Sequence, residues 1–592
     1  MKRPTRVITL ASIAIVASAV LFLGWPLIDI ALSFDPLVSN EDADRLVQAV
    51  RAGWTREDEA PSVAAPADVV AVIVVANSPL PGKGVPVMVG EKAGADLGDT
   101  AKSLGALLRK KLVAGPVPVE VVFSVHLVRD PERILWPALA EMERTFQVGL
   151  HGLMRCGDGG CFALPGPVMH ARDDRFKKAR GLLEKKRGAS LAGLNLGGGL
   201  YRFVDEAFIE NGTGAARLYR ASVLTGPLGS TQIREACRIA GDFLIRAQQT
   251  SGRWYYEYGA GRDRFNKRGY NLLRHAGTTY AMYQLAEALG DERYADTADS
   301  ALDYLKQKIE AAPDDPARMY VRSGNSIKLG GSGLALMAFV EKERTRGVTN
   351  REKHIMRGLV RHCLLAQNDD GSFESYHAAP GAEKKTRRSI YYPGEAMLGL
   401  IRYYHLHPER KDILDAVARA ADYLIGERWN MLGIRFNVPP DAWLMLALEE
   451  LHKAKPEPGY ADYAFDIGLG MGSDQWIDVF PQKDYHGGYY PTPPQVTPAG
   501  SRSEGLTAAY LIADRLGDEQ TKERLFEIIH RAAAFQIGCL IRPEFAVLYP
   551  NPRMALGVFR HSPTRNGTRI DYNQHNISGL LVAADILEKR GL

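Results

Sequence analysis

Phe243-Leu244-Ile245-Arg246-Ala247-Gln248, followed by Gly252-Arg253-Trp254, decides how the larger part of this 592-residue chain folds. The arrangement returns at Cys363-Leu364-Leu365-Ala366-Gln367, followed by Gly371-Ser372-Phe373. In both copies an apolar helical stretch ends in Gln, a turn follows, and Gly-x-aromatic leads away. The Gln can tie the helix end to the next turn while the ring covers a helix pair. Outward from these copies, apolar residues recur at helical spacing over 232–248, 275–290, 293–310, 331–344, 350–366, 392–406, 411–427, 440–453, 504–516, 519–537 and 575–589. Weaker helix candidates lie near 204 and 460. Such an array of helix pairs predicts a closed ring, because closure removes the ends that an open solenoid must cap.

The start of the chain reads differently. Lys2, Arg3 and Arg6 precede an apolar run from Val7 to Leu32 in which Asp29 is the one charge. That run is long enough to span a bilayer. Ala17-Ser18-Ala19 sits inside it rather than after it, which favours an uncleaved anchor over a removed leader. With the basic residues on the cytoplasmic side, the rest of the chain would face outward, as in a single-pass inner-membrane protein with a periplasmic body. The expected organisation is an anchor at 1–35, a helix and linker at 36–66, a small α/β or α+β domain at 67–198, and an all-α ring of paired helices at 199–592. Within the small domain, 69–75 and 117–128 are strand-like, and 100–111 and 131–146 have helical spacing. Cys156 and Cys161 flank the turn sequence Gly157-Asp158-Gly159-Gly160, which suits a local disulfide; a metal pair would need further ligands nearby. Lys and Arg number 74 against 69 Asp and Glu, with no basic block interleaved with aromatics, so no nucleic-acid partner is expected.

Three resemblances bear on this reading. The Gln-x-x-x-Gly-x-aromatic element resembles the repeat of α/α-toroid proteins, among them terpene cyclases and many polysaccharide-active enzymes. Val148-Gly149-Leu150-His151-Gly152-Leu153, Phe162-Ala163-Leu164-Pro165 and Leu182-Leu183-Glu184-Lys185-Lys186 resemble the closing half of the AMMECR family, which implies a fold and no site. Arg569-Ile570-Asp571-Tyr572, with Ile577 and Leu580-Leu581 on the following helix, resembles the closing Arg-Trp-Asp-Tyr motif of D-glucuronyl C5-epimerases, and Arg560-His561 matches a pair in the same family. By that match Tyr572 carries over. The family's second tyrosine falls at Gly557, and its histidine at Asn576, with His575 one place earlier.

In a ring of helix pairs the inner helices begin at one rim, so functional groups are expected in the loops that enter them. Those loops contain Trp254, Tyr256, Arg274, His275, Tyr392, Glu395, Tyr489, Tyr490, Arg502, Glu504, Arg569, Asp571 and Tyr572. Aromatic faces stack on sugar rings, and Arg, His and Tyr bind carboxylates or move protons. Glu395 and Glu504 also sit where a carboxylate would cap a helix.

The combination suits an acidic polysaccharide or cell-envelope glycan, without a cofactor or a firm metal site. The epimerase resemblance implies removal of the C5 proton of a uronic acid and its return on the opposite face. Tyr572 would be one proton carrier and Tyr490 or His275 the other. Arg569 or Arg274 would clamp the carboxylate, and Glu395 or Glu504 would orient or activate a carrier. Trp254, Tyr256, Tyr392, Tyr489, Arg502 and Asp571 would complete the binding surface. A lyase would share the first half of that chemistry, a six-hairpin glycoside hydrolase would need two flanking carboxyls, and a non-catalytic binding ring needs neither. A terpene cyclase would need an Asp-x-Asp-Asp acid motif, which the chain lacks.

Overall fold

The computed structural model describes residues 36–78, 86–112, 121–134, 146–157, 159–172, 176–185, 188–212, 214–226, 228–266, 269–378, 388–432, 440–477 and 482–592. Among them no helix is long and apolar enough to cross a membrane. The anchor expected at 1–35 lies outside the described residues. The chain divides into two compact units. One runs through Leu224 and is joined by Ile477–His486 and Pro543–Arg553, and the other holds the remainder.

The first unit contains α1 (Asn40–Thr55), β1 (Val69–Asn77), β2 (Val87–Lys92), α2 (Leu97–Leu112), β3 (Val122–Ile134), β4 (His151–Gly157), β5 (Gly160–Leu164), α3 (Gly166–Arg172), α4 (Phe176–Glu184), β6 (Ala189–Ala192), β7 (Gly199–Asn211) and β8 (Gly214–Leu218). The strands run β3-β1-β2-β6-β5-β4-β7, and β7 pairs back onto β3 to close a barrel, with β8 continuing along β7. Only the β2–β6 pair is parallel among these pairings. β1 is buried on both faces. Ala71, Ile73 and Val75 point into one apolar core, while Val72 and Val74 pack with Leu46, Val50 and Leu104 of α1 and α2.

This unit corrects the expected α/β domain in three places. Residues 131–134 continue β3 instead of forming a helix, and the helix candidate near 204 is strand β7. β7 and β8 carry the unit past residue 198, to Leu224. The segment resembling the AMMECR family contributes β4, β5 and α4. Cys156 and Cys161 face each other across the β4–β5 hairpin and form the disulfide. Inside the barrel Ser124 Oγ lies 3.0 Å from His126 Nε2, and His126 Nδ1 lies 3.1 Å from Asp205. All three side chains are enclosed, so this Ser-His-Asp set is a satisfied structural network.

The second unit is a ring. Its long helices are α5 (Ser230–Ala247), α6 (Leu272–Leu289), α7 (Glu292–Lys306), α8 (Leu329–Thr345), α9 (Asn350–Leu365), α10 (Tyr392–Leu406), α11 (Lys411–Leu432), α12 (Ala442–Ala454), α13 (Pro458–Ser473), α14 (Val496–Leu516), α15 (Glu519–Cys539) and α16 (Ile570–Lys589). The inner helices α6, α8, α10, α12, α14 and α16 pack each on the next, and α16 returns to α6. Each has an outer partner: α7, α9, α11, α13, α15 and α5 in turn. The architecture is thus a six-fold α/α toroid.

Composition explains which helices are inside. α8 buries every residue from Leu329 to Glu341, as a helix surrounded by protein must, whereas outer α7 buries the stripe Tyr294, Ala298, Ala301, Leu302 and Leu305. The repeated turns join the outer helices. Gln248 Nε2 donates to Thr297 O of α7 at 2.8 Å, and Gln367 Nε2 to Ala416 O of α11 at 2.8 Å. Gln475 repeats the bond to Ile528 O of α15 at 3.1 Å. Gly252 has φ 80°, and a Cβ there would lie 1.9 Å from Ser300 O, so glycine is required on both counts. A fourth copy pairs Leu540 with Phe559 and places Gly557 (φ 83°) against Ile239 of α5, where a Cβ would lie 2.0 Å from the carbonyl oxygen.

Candidate active site

The N-terminal ends of the six inner helices surround a cavity of about 810 Å³. α6 supplies Arg274, α8 Leu334, α10 Tyr392 and Glu395, α12 Trp443, α14 Arg502, and α16 Asp571, Gln574 and His575. Tyr376, Arg388 and Tyr391 complete the wall. Helix N-termini carry partial positive charge, so the backbone itself favours an anion here.

Two acid–base elements meet in this cavity. His575 Nδ1 donates to Glu504 Oε2 at 2.7 Å, which leaves Nε2 as the basic nitrogen of a ring that lines the cavity. Glu504 Oε1 accepts from Gln574 Nε2 at 3.2 Å and from Tyr280 Oη at 3.3 Å. Burial pushes the Glu504 carboxyl up, against the pull of His575 and Tyr280. Burial works against charge on His575, but the Glu504 carboxylate more than offsets it and holds the imidazole above its ordinary value. The two groups titrate as one unit. Trp443 packs on the His575 ring at 5.6 Å.

Glu395 is the second element. It is 3% exposed, and its Oε2 has no hydrogen-bond partner among the described residues. Burial, reinforced by Asp441, pushes its pKa up to about 8, so it is a neutral acid at pH 7. Gly330 of α8 makes room for it: a Cβ there would stand 1.6 Å from Glu395 Oε2.

The cations divide into paired and unpaired. Arg569 grips Asp571 with two bonds, Nε to Oδ1 at 2.5 Å and one terminal nitrogen to Oδ2 at 2.8 Å. Arg274 Nε also reaches Asp571 Oδ2 at 3.1 Å, and its Nη1 donates to Tyr256 Oη. Arg502 lies with its guanidinium 4.7 Å above the Tyr489 ring and makes no ion pair among the described residues. Burial pulls its pKa down, as expected of a cation short of counter-charge.

The structure therefore brings Glu395, Glu504, Arg274, Arg502, Arg569, Asp571 and Tyr392 together and sets others apart. His275 is fully buried, with Nε2 on Ala301 O at 2.8 Å and Nδ1 on Tyr270 Oη at 2.6 Å. Burial drives its pKa down to about 4, and it does not line the cavity. Trp254 is enclosed, its Nε1 donating to Leu244 O at 3.1 Å. Tyr256 and Tyr489 stand behind Arg274 and Arg502 and do not form the wall.

Tyr572 Oη bonds His561 Nδ1 at 2.8 Å, and its ring lies 4.9 Å under Arg569, outside the cavity lining. Tyr490 is 66% exposed and also outside it. Gly557 cannot carry the tyrosine that the epimerase resemblance would place there, because the turn admits no Cβ.

Trp443, His575, Gln574, Tyr376 and Arg388 line the wall without a role assigned from the sequence. Trp443 carries no loop signature. His575 was legible in principle, since it lies one helical turn after Asp571 on the same face. Glu504 was expected at a helix start, but α14 begins at Val496, which places Glu504 in the helix interior behind His575.

No family model matches the chain, and no curated protein matches it. Among solved structures it is similar to cellobiose 2-epimerase from Bacillus thermoamylovorans (10% identity over 60% of this chain and 99% of that one, TM-score 0.48). It is also similar to a D-mannose isomerase (12%, 60% and 97%, TM-score 0.47) and to an α-1,6-mannanase from Salegentibacter (11%, 60% and 99%, TM-score 0.43). At such identities and scores the function rests on the cavity itself.

Proposed function

We propose that this chain is an enzyme of acidic carbohydrates that moves a proton at C5 of a uronic acid unit, the chemistry that the resemblance to D-glucuronyl C5-epimerases implies. The observation that carries the reading is the meeting, on one cavity, of a carboxylate-backed imidazole and a buried carboxylic acid that stays neutral at pH 7. His575 Nε2 takes the proton α to the sugar carboxylate, and Glu504 stabilises the imidazolium that forms. Negative charge then grows on the sugar carboxylate, where Arg502, which makes no ion pair among the described residues, can meet it. Glu395 returns a proton to C5. Return on the opposite face gives epimerisation. If Glu395 instead protonates a departing C4 oxygen, the same first step ends in elimination.

Arg569 and Arg274 share Asp571, so they shape the wall and add one net positive charge with it, in place of the clamp role the sequence suggested. The proposal places the chain outside the cytoplasm, held to the inner membrane by the apolar run 7–32 and acting on a cell-envelope or exported glycan. The Cys156–Cys161 disulfide supports an oxidising compartment.

The test incubates the protein with uronic-acid polymers in deuterated water and follows C5 deuterium, unsaturated ends and reducing ends together. Deuterium uptake that disappears in His575→Gln, and epimerised product that disappears in Glu395→Gln, are the expected results, with an epimerisation rate that falls above about pH 8 as Glu395 ionises. New reducing ends without deuterium would establish hydrolysis instead, and binding without any turnover would sink the enzymatic reading.

A further inference from the structure

We infer that the substrate is a chain, and that the sugar next to the reacting unit rests outside the cavity on an aromatic platform made by Tyr490 and Trp476 beside Arg502. The inference builds on the reading of the cavity as an acidic-sugar site and adds the size and path of the ligand.

Tyr490 has the most exposed aromatic ring among the described residues whose exposure is large, at 66%. The half-buried Trp476 lies beside it, with ring centroids 6.0 Å apart. The backbone that carries both rings is tied down by hydrogen bonds. Tyr490 N donates to Asp474 O at 3.0 Å, Trp476 N to Gly488 O at 2.7 Å, and Gly487 N to Trp476 O at 2.8 Å. This is the third copy of the turn that joins outer helices, so the platform is fixed by the same device that closes the ring.

Alternation along the backbone connects platform to cavity. Tyr489 points inward and is 2% exposed, its ring under the Arg502 guanidinium at 4.7 Å, while the next side chain, Tyr490, points out. Arg502 forms part of the cavity wall, as does Tyr391, a second exposed tyrosine. The link between the two is Tyr489, whose ring carries Arg502 of the cavity wall and which the exposed Tyr490 follows directly in the chain. Sugar rings present C–H faces that stack on aromatic rings, and a uronate chain adds carboxylates that match Arg502 and the exposed Arg388 at the mouth. Tyr490, expected from the sequence as a proton carrier, becomes a holder of the chain.

The experiment uses the full chain and oligosaccharides of one to ten units prepared from polygalacturonate, alginate and hyaluronan, with neutral mannan oligosaccharides as the control. Affinity is read by calorimetry, and KM wherever turnover is seen. The wild type should bind acidic oligomers more tightly with length. Tyr490→Ala should weaken the longer oligomers about tenfold, with little change for single units. Tyr490→Phe, which keeps the ring, should behave as the wild type, and Trp476→Ala should reproduce the loss.

Length dependence that survives in Tyr490→Ala and Trp476→Ala would overturn the platform even if turnover is found. Equal length dependence on neutral mannan would overturn its acidic occupant. If no polymer turns over but length-dependent acidic binding still falls in Tyr490→Ala, the platform stands and the proton-transfer reading falls alone.

Discussion

The two ends of the toroid are built by the same six inner helices, and both hold a cavity. They are of similar size, about 910 Å³ at the C-terminal ends and about 810 Å³ at the N-terminal ends. At the C-terminal ends the charged groups are spent on one another. Arg402 bonds Glu341 at 2.6 Å and Glu450 at 3.1 Å, Arg344 bonds Glu341 at 2.5 Å and Glu287 at 2.7 Å, and Lys453 bonds Glu450 at 3.0 Å. At the N-terminal ends Arg502 has no carboxylate, Glu395 Oε2 no donor, and His575 Nε2 no protein partner among the described residues. Volume does not separate the two ends. What separates them is whether buried polar groups are satisfied within the protein or left for a ligand.

If that contrast is sound, substitutions at the two ends should fail in different ways. The largest effect is expected for His575→Gln, which should cut C5 exchange by about 10³-fold while thermal unfolding stays near the wild type; an equal loss of stability would make His575 structural. At the other end Arg402→Met leaves Glu341 buried with one partner fewer and should cost about 3 kcal/mol of stability in denaturant unfolding, with exchange kinetics per folded molecule unchanged. Impaired exchange in that variant would erase the distinction between the ends.

Gly330→Ala is a smaller probe. The methyl group displaces the free end of the Glu395 side chain rather than backbone, so epimerisation should fall about tenfold with little change in melting temperature. A pH slope probes the same side chain. The folded pKa of Glu395, about 8, is raised above its unfolded value, so its contribution is present at low pH and is lost as pH rises towards 8. Wild type should therefore lose about 1.4 kcal/mol per pH unit relative to Glu395→Gln between pH 5 and 8. Parallel stability curves for the two proteins would show that Glu395 is ionised and solvated.

The ring was legible because its instructions are local. Gln248-to-Trp254 and Gln367-to-Phe373 share one spacing, whereas in the third copy Gln475 is separated from Gly487-Gly488-Tyr489 by a longer connection. The fourth has Leu540 where the others have Gln and is recognisable from Gly557 and its close contact with α5. The barrel was harder to read. A strand such as β1, buried on both faces, loses the alternation that marks a strand, and β7 lies next to the helical region in sequence.

The sequence by itself determined that paired helices close into a ring and that polar and aromatic residues gather where the inner helices begin. Periodicity, the Gln-to-Gly turns and the loop compositions are properties of neighbours along the chain. Only the tertiary structure decided which of those residues face the cavity with an atom to spare. His275 and Glu395 look alike as first-turn polar residues, but His275 has both nitrogens bonded and Glu395 has a free oxygen. The pairing of Glu504 with His575 joins helices far apart in sequence. Proton affinity depends on burial and on partners brought in by folding, and neither is written in the order of residues.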